Sequence, residues 1–140
     1  MGNDFFILLD TNVILDFALK REEHYAFARK IMEEIAEGRL IAHVSASQIT
    51  DIYYFLEKKF DHEEAIRVLV VLLESIRVIR VDDKTINTAI ESGMKDFEDA
   101  VQAAAAQEVY VDIVVTRDKK GFHNSGLQVY SPEEFLKALK

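Results

Sequence analysis

Five short apolar runs punctuate the chain, at residues 5–9, 40–44, 76–79, 112–115 and 127–130. The first is apolar throughout, as a strand covered on both faces must be, whereas a strand with one wet face alternates. Between the runs lie helical periodicities at residues 12–19, 22–37, 47–59, 62–74, 84–93 and 97–107. Strands alternating with helices predict an α/β fold, a three-layer sandwich around a mostly parallel central sheet of about five strands. The punctuation agrees. Gly38 is placed to end the second helix as a C-terminal cap, and Ser131-Pro132-Glu133-Glu134 opens a last helix over 133–140 with a capping serine, a first-turn proline and a first-turn acid. Phe135, Leu136 and Leu139 give that helix an apolar stripe facing the sheet edge, and the four small residues from Ala103 to Ala106 predict close packing of helix on sheet.

Length and charge narrow this picture. With 140 residues and no linker, repeat or low-complexity block, a single domain over 1–140 is expected. The absence of cysteine excludes a disulfide framework and a thiolate zinc site and suits a reducing, cytoplasmic location. The opening apolar run is too short to span a membrane, is flanked by Asp4 and Asp10 and lacks a basic leader, so no membrane association is expected. Seventeen basic against 25 acidic side chains leave a net charge of -8. That balance argues against broad nonspecific nucleic-acid binding, so any such site must be local or bridged by metal.

The chemistry lies in where the acids fall. Asp10 closes the first apolar run, Asp118 follows the fourth through Thr116-Arg117, and Asp96-Phe97-Glu98-Asp99 opens the alanine-rich helix. In an open parallel sheet, ligands bind beyond the carboxyl ends of the strands where the strand order reverses. If the first and fourth strands adjoin there, Asp10 and Asp118 converge, and the start of the alanine-rich helix delivers Asp99 to the same acidic pocket, which attracts a divalent metal. Asp96 and Asp99 equally suit a helix start, where acids satisfy free amides and complement the dipole. Ser47 and Asp51 share one helix face, roughly opposite the stripe of Ile49, Ile52, Tyr53 and Leu56, which leaves a solvated Asp51 open although Tyr54 and Phe55 argue against full exposure. Asp16 reads as structural. His24, His43, His62 and His123 show no ligand spacing and read as surface or capping residues, with His123 the nearest to an accessory role. Arg117, Lys119 and Lys120 form either a solvated loop or a local contact for phosphates.

Taken in order, the segments around Asp10, Asp51, Asp99 and Asp118 resemble the PIN domain, the nuclease fold of many bacterial and archaeal toxins. The likeness runs from Leu8-Leu9-Asp10-Thr11-Asn12 through Asp96-Phe97-Glu98-Asp99-Ala100 to Val115-Thr116-Arg117-Asp118. It implies that Asp10, Asp99 and Asp118 bind Mg2+ or Mn2+, that Asp51 completes the catalytic cluster, and that Asn12 and Thr116 orient the site, with Ser47 and Asp96 as further accessory residues. It implies a metal-dependent ribonuclease acting on single-stranded or looped RNA, an antitoxin partner carrying a basic segment, and a homodimer. Phe17, Leu19, Tyr53 and Phe55 exceed what a core of this size needs, which points the same way. Two departures stand out: the family commonly has a glutamate where this chain has Asp51, and many relatives carry an acid where it has Gly121. A PIN-like module that binds RNA or protein without cutting is the alternative. An aspartyl-phosphate phosphatase is disfavoured because Asn12 stands where its proton-donating acid belongs. A phosphate-accepting signalling domain needs its acids and a strand-end lysine in a different order.

Overall fold

The structure, a computed structural model, describes residues 5–139. Asp4 and the final position of the expected last helix, Lys140, lie outside the described residues. Five strands, β1 (Phe5–Leu9), β2 (Leu40–Ser45), β3 (Ile76–Ile79), β4 (Ile113–Val115) and β5 (Gln128–Tyr130), form one sheet in the order β3-β2-β1-β4-β5. Every pairing is parallel, so the mostly parallel sheet foreseen from the sequence is parallel throughout. The helices are α1 (Thr11–Ala18), α2 (Tyr25–Ala36), α3 (Ala46–Lys59), α4 (His62–Ser75), α5 (Asp83–Glu91), α6 (Phe97–Glu108) and α7 (Pro132–Ala138), with a 3-10 turn over Lys119–Phe122.

The three layers follow from the period-two alternation of the central strand. Ile7 and Leu9 point into the larger core, built with α1, α2, α3, α4 and Phe135 of α7, while Leu8 points to the other face, against Ala105, Ala106, Val114 and Phe122. On that second face α6 is buried at every position from Asp99 to Ala106, because small side chains bring its backbone close to the sheet, and Ala100 and Ala104 also meet Ala89 of α5.

Strands are within one residue of expectation at each end, and the larger discrepancies fall at helix ends. α2 begins at Tyr25 rather than residue 22, because the chain first turns through Arg21, whose carbonyl accepts from both His24 and Tyr25. α5 stops at Glu91, and Gly93 follows at φ +78. α7 starts one residue earlier than expected, on Pro132, with Ser131 and Glu134 closing the reciprocal cap. Its Phe135 packs edge-on against Phe5 and Tyr130 at 6.1 and 5.8 Å, which ties the last helix to the edge strand β5. Three of the four apolar residues taken as surplus serve the core instead. Phe17, Leu19 and Tyr53 pack against it, Phe17 stacks on Tyr25, and Phe55 alone of the four is exposed.

Candidate functional site

Strand order reverses between β1 and β4, where chain segments leave in opposite directions across the sheet. Leu9 pairs with Val115 at this point, and the Asp10 amide extends the ladder by donating to the Val115 carbonyl at 3.0 Å. Asp10 is thereby fixed in the crevice that such sheets use for ligands. It also caps α1, accepting from the Thr11 amide at 2.8 Å. Three side chains complete its surroundings: the Thr116 hydroxyl donates at 2.6 Å, and the amides of Asn12 and Gln102 donate at 3.3 Å each. Burial nevertheless pushes the Asp10 carboxyl above its ordinary pKa, against those hydrogen bonds, and the charge of Asp118 adds to the rise.

The Thr116 hydroxyl has a second task. It accepts from the Asp118 amide at 2.9 Å, so one buried threonine sets Asp10 and Asp118 relative to each other. Asp99 arrives from the first turn of α6, started by Asp96, whose carboxylate accepts from the Asp99 amide at 3.0 Å. Burial first, then the neighbouring Asp10, Asp96, Asp118 and Glu98, push the Asp99 carboxyl up to about 7. Gly121 closes this corner. A Cβ there would collide with the Asp99 carboxylate and stand 3.2 Å from Oδ2 of Asp118, so glycine lets the backbone lie directly against both acids.

Asp10, Asp99 and Asp118 are therefore neighbours, linked pairwise through Thr116 and Gly121, and Asp96 stands behind Asp99 as its cap. Asp51 stands apart from the Thr116 and Gly121 contacts that link these three. It is exposed on α3 and lines the same cleft as Asp10 and Asp99. Tyr54 and Phe55 are themselves exposed and do not shield it, contrary to expectation. Ser47 meets the Ser45 hydroxyl at 2.6 Å beside that cleft. Of the cations, Arg117 is bound to the buried Asp16 at 2.7 and 3.2 Å and Lys119 to Glu134 at 3.0 Å, while Lys120 makes no ion pair among the described residues. Asp16, as expected, is structural. His43 corrects the surface reading of the histidines, because its ring is buried on β2 against the Ile7 carbonyl at 3.1 Å.

Two glutamines escaped the sequence reading. Gln48 reaches from α3 to donate to the Leu9 carbonyl at 2.9 Å and to Thr11, and its own carbonyl accepts from the Ser45 amide at 2.7 Å. Gln102 lies three residues after Asp99 on α6, and its buried Oε1 has no hydrogen-bond partner among the described residues. The spacing from Asp99 to Gln102 puts both on one helix face and was the available signal.

These groups suit a hard divalent cation. All are oxygen donors, and buried polar atoms are seldom left without a partner, so Gln102 Oε1 is placed to accept from a bound water or to face an ion. Among the described residues no three carboxylate or imidazole groups close around one point as a ready-made cage. Mg2+ keeps several waters and needs only one or two direct carboxylates, so a spread set still fits.

A family model for the PIN domain matches residues 6–120. No curated protein matches the chain. Among solved structures, VapBC2 from Rickettsia felis bound to a DNA fragment from its promoter superposes with a TM-score of 0.70 at 16% identity, covering 91% of this chain and 98% of that one. A toxin-antitoxin complex from Klebsiella pneumoniae gives 0.65 at 22% identity, covering 90% and 97%. VapC20 of Mycobacterium tuberculosis, a Sarcin-Ricin loop cleaving toxin, gives 0.61 at 16% identity, covering 77% and 86%. At these identities the likeness concerns the fold.

Proposed function

The chain belongs to the PIN domain family, and from that membership together with its acidic crevice we propose that it is a metal-dependent endoribonuclease. The observation that carries the reading is that Thr116 bridges Asp10 to the Asp118 backbone while Asp99 and Asp118 both lie against Gly121, at the β1/β4 reversal. Asp10 and Asp99 would hold Mg2+ or Mn2+, with Asp118 adjoining, and the bound ion supplies charge neutralisation for a phosphodiester and a more acidic water. Thr116 and Asn12 orient Asp10, Gln102 orients its other oxygen and offers a free acceptor, and Asp96 fixes the turn that carries Asp99.

The solved relatives include a toxin-antitoxin complex and a toxin that cleaves the Sarcin-Ricin loop, which supports RNA as substrate and an antitoxin as partner. A basic segment of that partner complements the acidic cleft, and a cytoplasmic site of action goes with both. β5 and α7, beyond the matched residues, pair with β4 and enter the main core, so the whole chain is read as one domain. Self-association belongs to the same proposal.

The test is cleavage of a mixed RNA pool with Mn2+. The parent is expected to cut, and Asp10→Asn, Asp99→Asn and Asp118→Asn each to lose at least about 100-fold in rate with an unchanged circular dichroism spectrum. A folded parent that binds Mn2+ and RNA but leaves the pool intact would replace the nuclease by a binding module.

A further inference from the structure

The acidic crevice lies between two clefts of opposite character. The first, about 640 Å³, is lined by Asp10, Asp51, Glu98 and Asp99 together with aromatic side chains of α3 and α6. The second, about 600 Å³, is lined by Asp96 and Asp118 and by Lys95, Lys119 and Lys120. Asp99 faces one, Asp118 the other, and both lie against Gly121.

Tyr54, Phe55 and Phe97 line the first cleft at 53%, 40% and 51% exposure, from two different helices. Single exposed apolar side chains are ordinary, but three aromatic rings beside one acidic crevice are a concentrated surface. Tyr54 and Phe55 meet edge to face at 5.3 Å, and Lys58 sits 5.1 Å over the Tyr54 ring, while about half of the Tyr54 surface, 53%, stays open to a flat partner. The charge decides what enters. Arg21 is the one cation lining this cleft among the described residues, against four carboxylates, so a phosphate here meets a net negative field, whereas a neutral planar base meets aromatic rings. In the second cleft the lysines favour phosphates.

We propose that the two clefts form one track for single-stranded RNA, in which an unpaired base stacks on Tyr54, Phe55 and Phe97 while adjoining phosphates run over Lys95 and Lys120. This rests on the ribonuclease reading and names the residues that would select a single strand: bases inside a duplex are stacked on their neighbours and offer no free face to Tyr54, Phe55 or Phe97. Tyr54, Phe55 and Phe97 are binding residues, and Lys95 is a phosphate contact that the sequence reading missed.

The test measures affinity by fluorescence anisotropy for a labelled 12-nucleotide single strand, the same strand without bases, and the duplex, with Ca2+ replacing Mn2+ to slow turnover. Tyr54→Ala and Phe97→Ala are expected to weaken single-strand binding about five- to 100-fold and to leave base-free binding unchanged. Lys120→Gln is expected to weaken both strands alike and to lower the salt slope by about one. Photocrosslinking of 5-iodouridine RNA to the unaltered chain, read by mass spectrometry, is expected at Tyr54, Phe55 or Phe97, whatever the variants' folding. Aromatic variants that bind the single strand like the parent, crosslinks confined elsewhere, duplex bound as tightly as single strand, or a parent that binds a basic peptide but no RNA would each overturn the track. Cleavage by the parent with base-independent binding overturns the track alone. Base-dependent binding without cleavage overturns the ribonuclease reading alone.

Discussion

Gly121 and Asp16 show how single residues hold this site by different means. At Gly121 the constraint is space. Gly121→Ala places a methyl against the free end of Asp99, which can swing away, so the fold is expected to survive with a melting temperature within a few degrees of the parent. The acids are then drawn apart, and Mn2+ affinity read by calorimetry is expected to fall at least about tenfold. At Asp16 the constraint is charge. Its buried carboxylate takes two bonds from Arg117 and one long one, 3.4 Å, from Arg21, and the Arg117 amide also donates to Asn12. Arg117→Ala strands most of that buried charge and is expected to cost on the order of 2–4 kcal/mol in urea unfolding. Arg21→Ala removes the weaker partner and is expected to cost about 1 kcal/mol or less. Equal losses would mean that Asp16 is served by both arginines alike.

At the scale of elements, α6 carries the site because its N-terminus and its face serve different ends. Asp96 starts the helix and fixes the turn of Asp99, while the alanines from Ala103 to Ala106 let it lie close enough to the sheet for Asp99 and Gln102 to reach Asp10. Overpacking this contact tests the coupling. Ala104→Leu adds volume between α6 and α5, is expected to destabilise by about 1–3 kcal/mol, and moves the helix that bears two site residues. Cleavage per folded molecule is therefore expected to fall along with stability, whereas Ile90→Ala on the exposed side of α5 is expected to change neither. Retained activity in Ala104→Leu would show that α6 can shift without moving its acids.

For the whole molecule, the gathered acids make the metal-free protein sensitive to pH. Asp99 is held at about 7 in the folded state against an ordinary value of 3.8. The folded chain thus binds the extra proton between those values, and its stability falls as pH rises from about 4 to about 7, then levels. The caps Asp82 and Glu134, held below their ordinary values, run the other way, and their contribution is lost as pH drops below those ordinary values. Comparing the parent with Asp99→Asn isolates the first effect. In chelator the two are expected to be alike near pH 4, and the variant more stable by on the order of a few kcal/mol at pH 8. Millimolar Mn2+ is expected to reverse the order by stabilising the parent more, about 2.7 kcal/mol at one hundred times the dissociation constant. A parent indifferent to Mn2+, with a variant less stable in chelator at pH 8, would mean that the acids are dispersed.

Much of this was legible from local pattern. The uniformly apolar run before Asp10, the alternation of strands with helices, the cap at Ser131 and the alanine stretch each report a local preference or a burial that repeats along the chain, so the α/β sandwich and the strand-end acids could be read directly. The exposure of Asp51, the task of Thr116 between Asp10 and Asp118 and the reach of Gln48 and Gln102 could not. They depend on strand order and on how close α6 lies to the sheet, and a lone glutamine carries no pattern of its own. The same holds for the cations, since only the fold brings Asp16 under Arg117 and leaves Lys120 unpaired among the described residues. Sequence by itself determined which residues form strands and helices and which acids end them, because those choices are made over a few neighbouring positions. The tertiary structure alone decided which of the acids share a field and which side chains complete their shell, because those energies act between residues far apart in the chain.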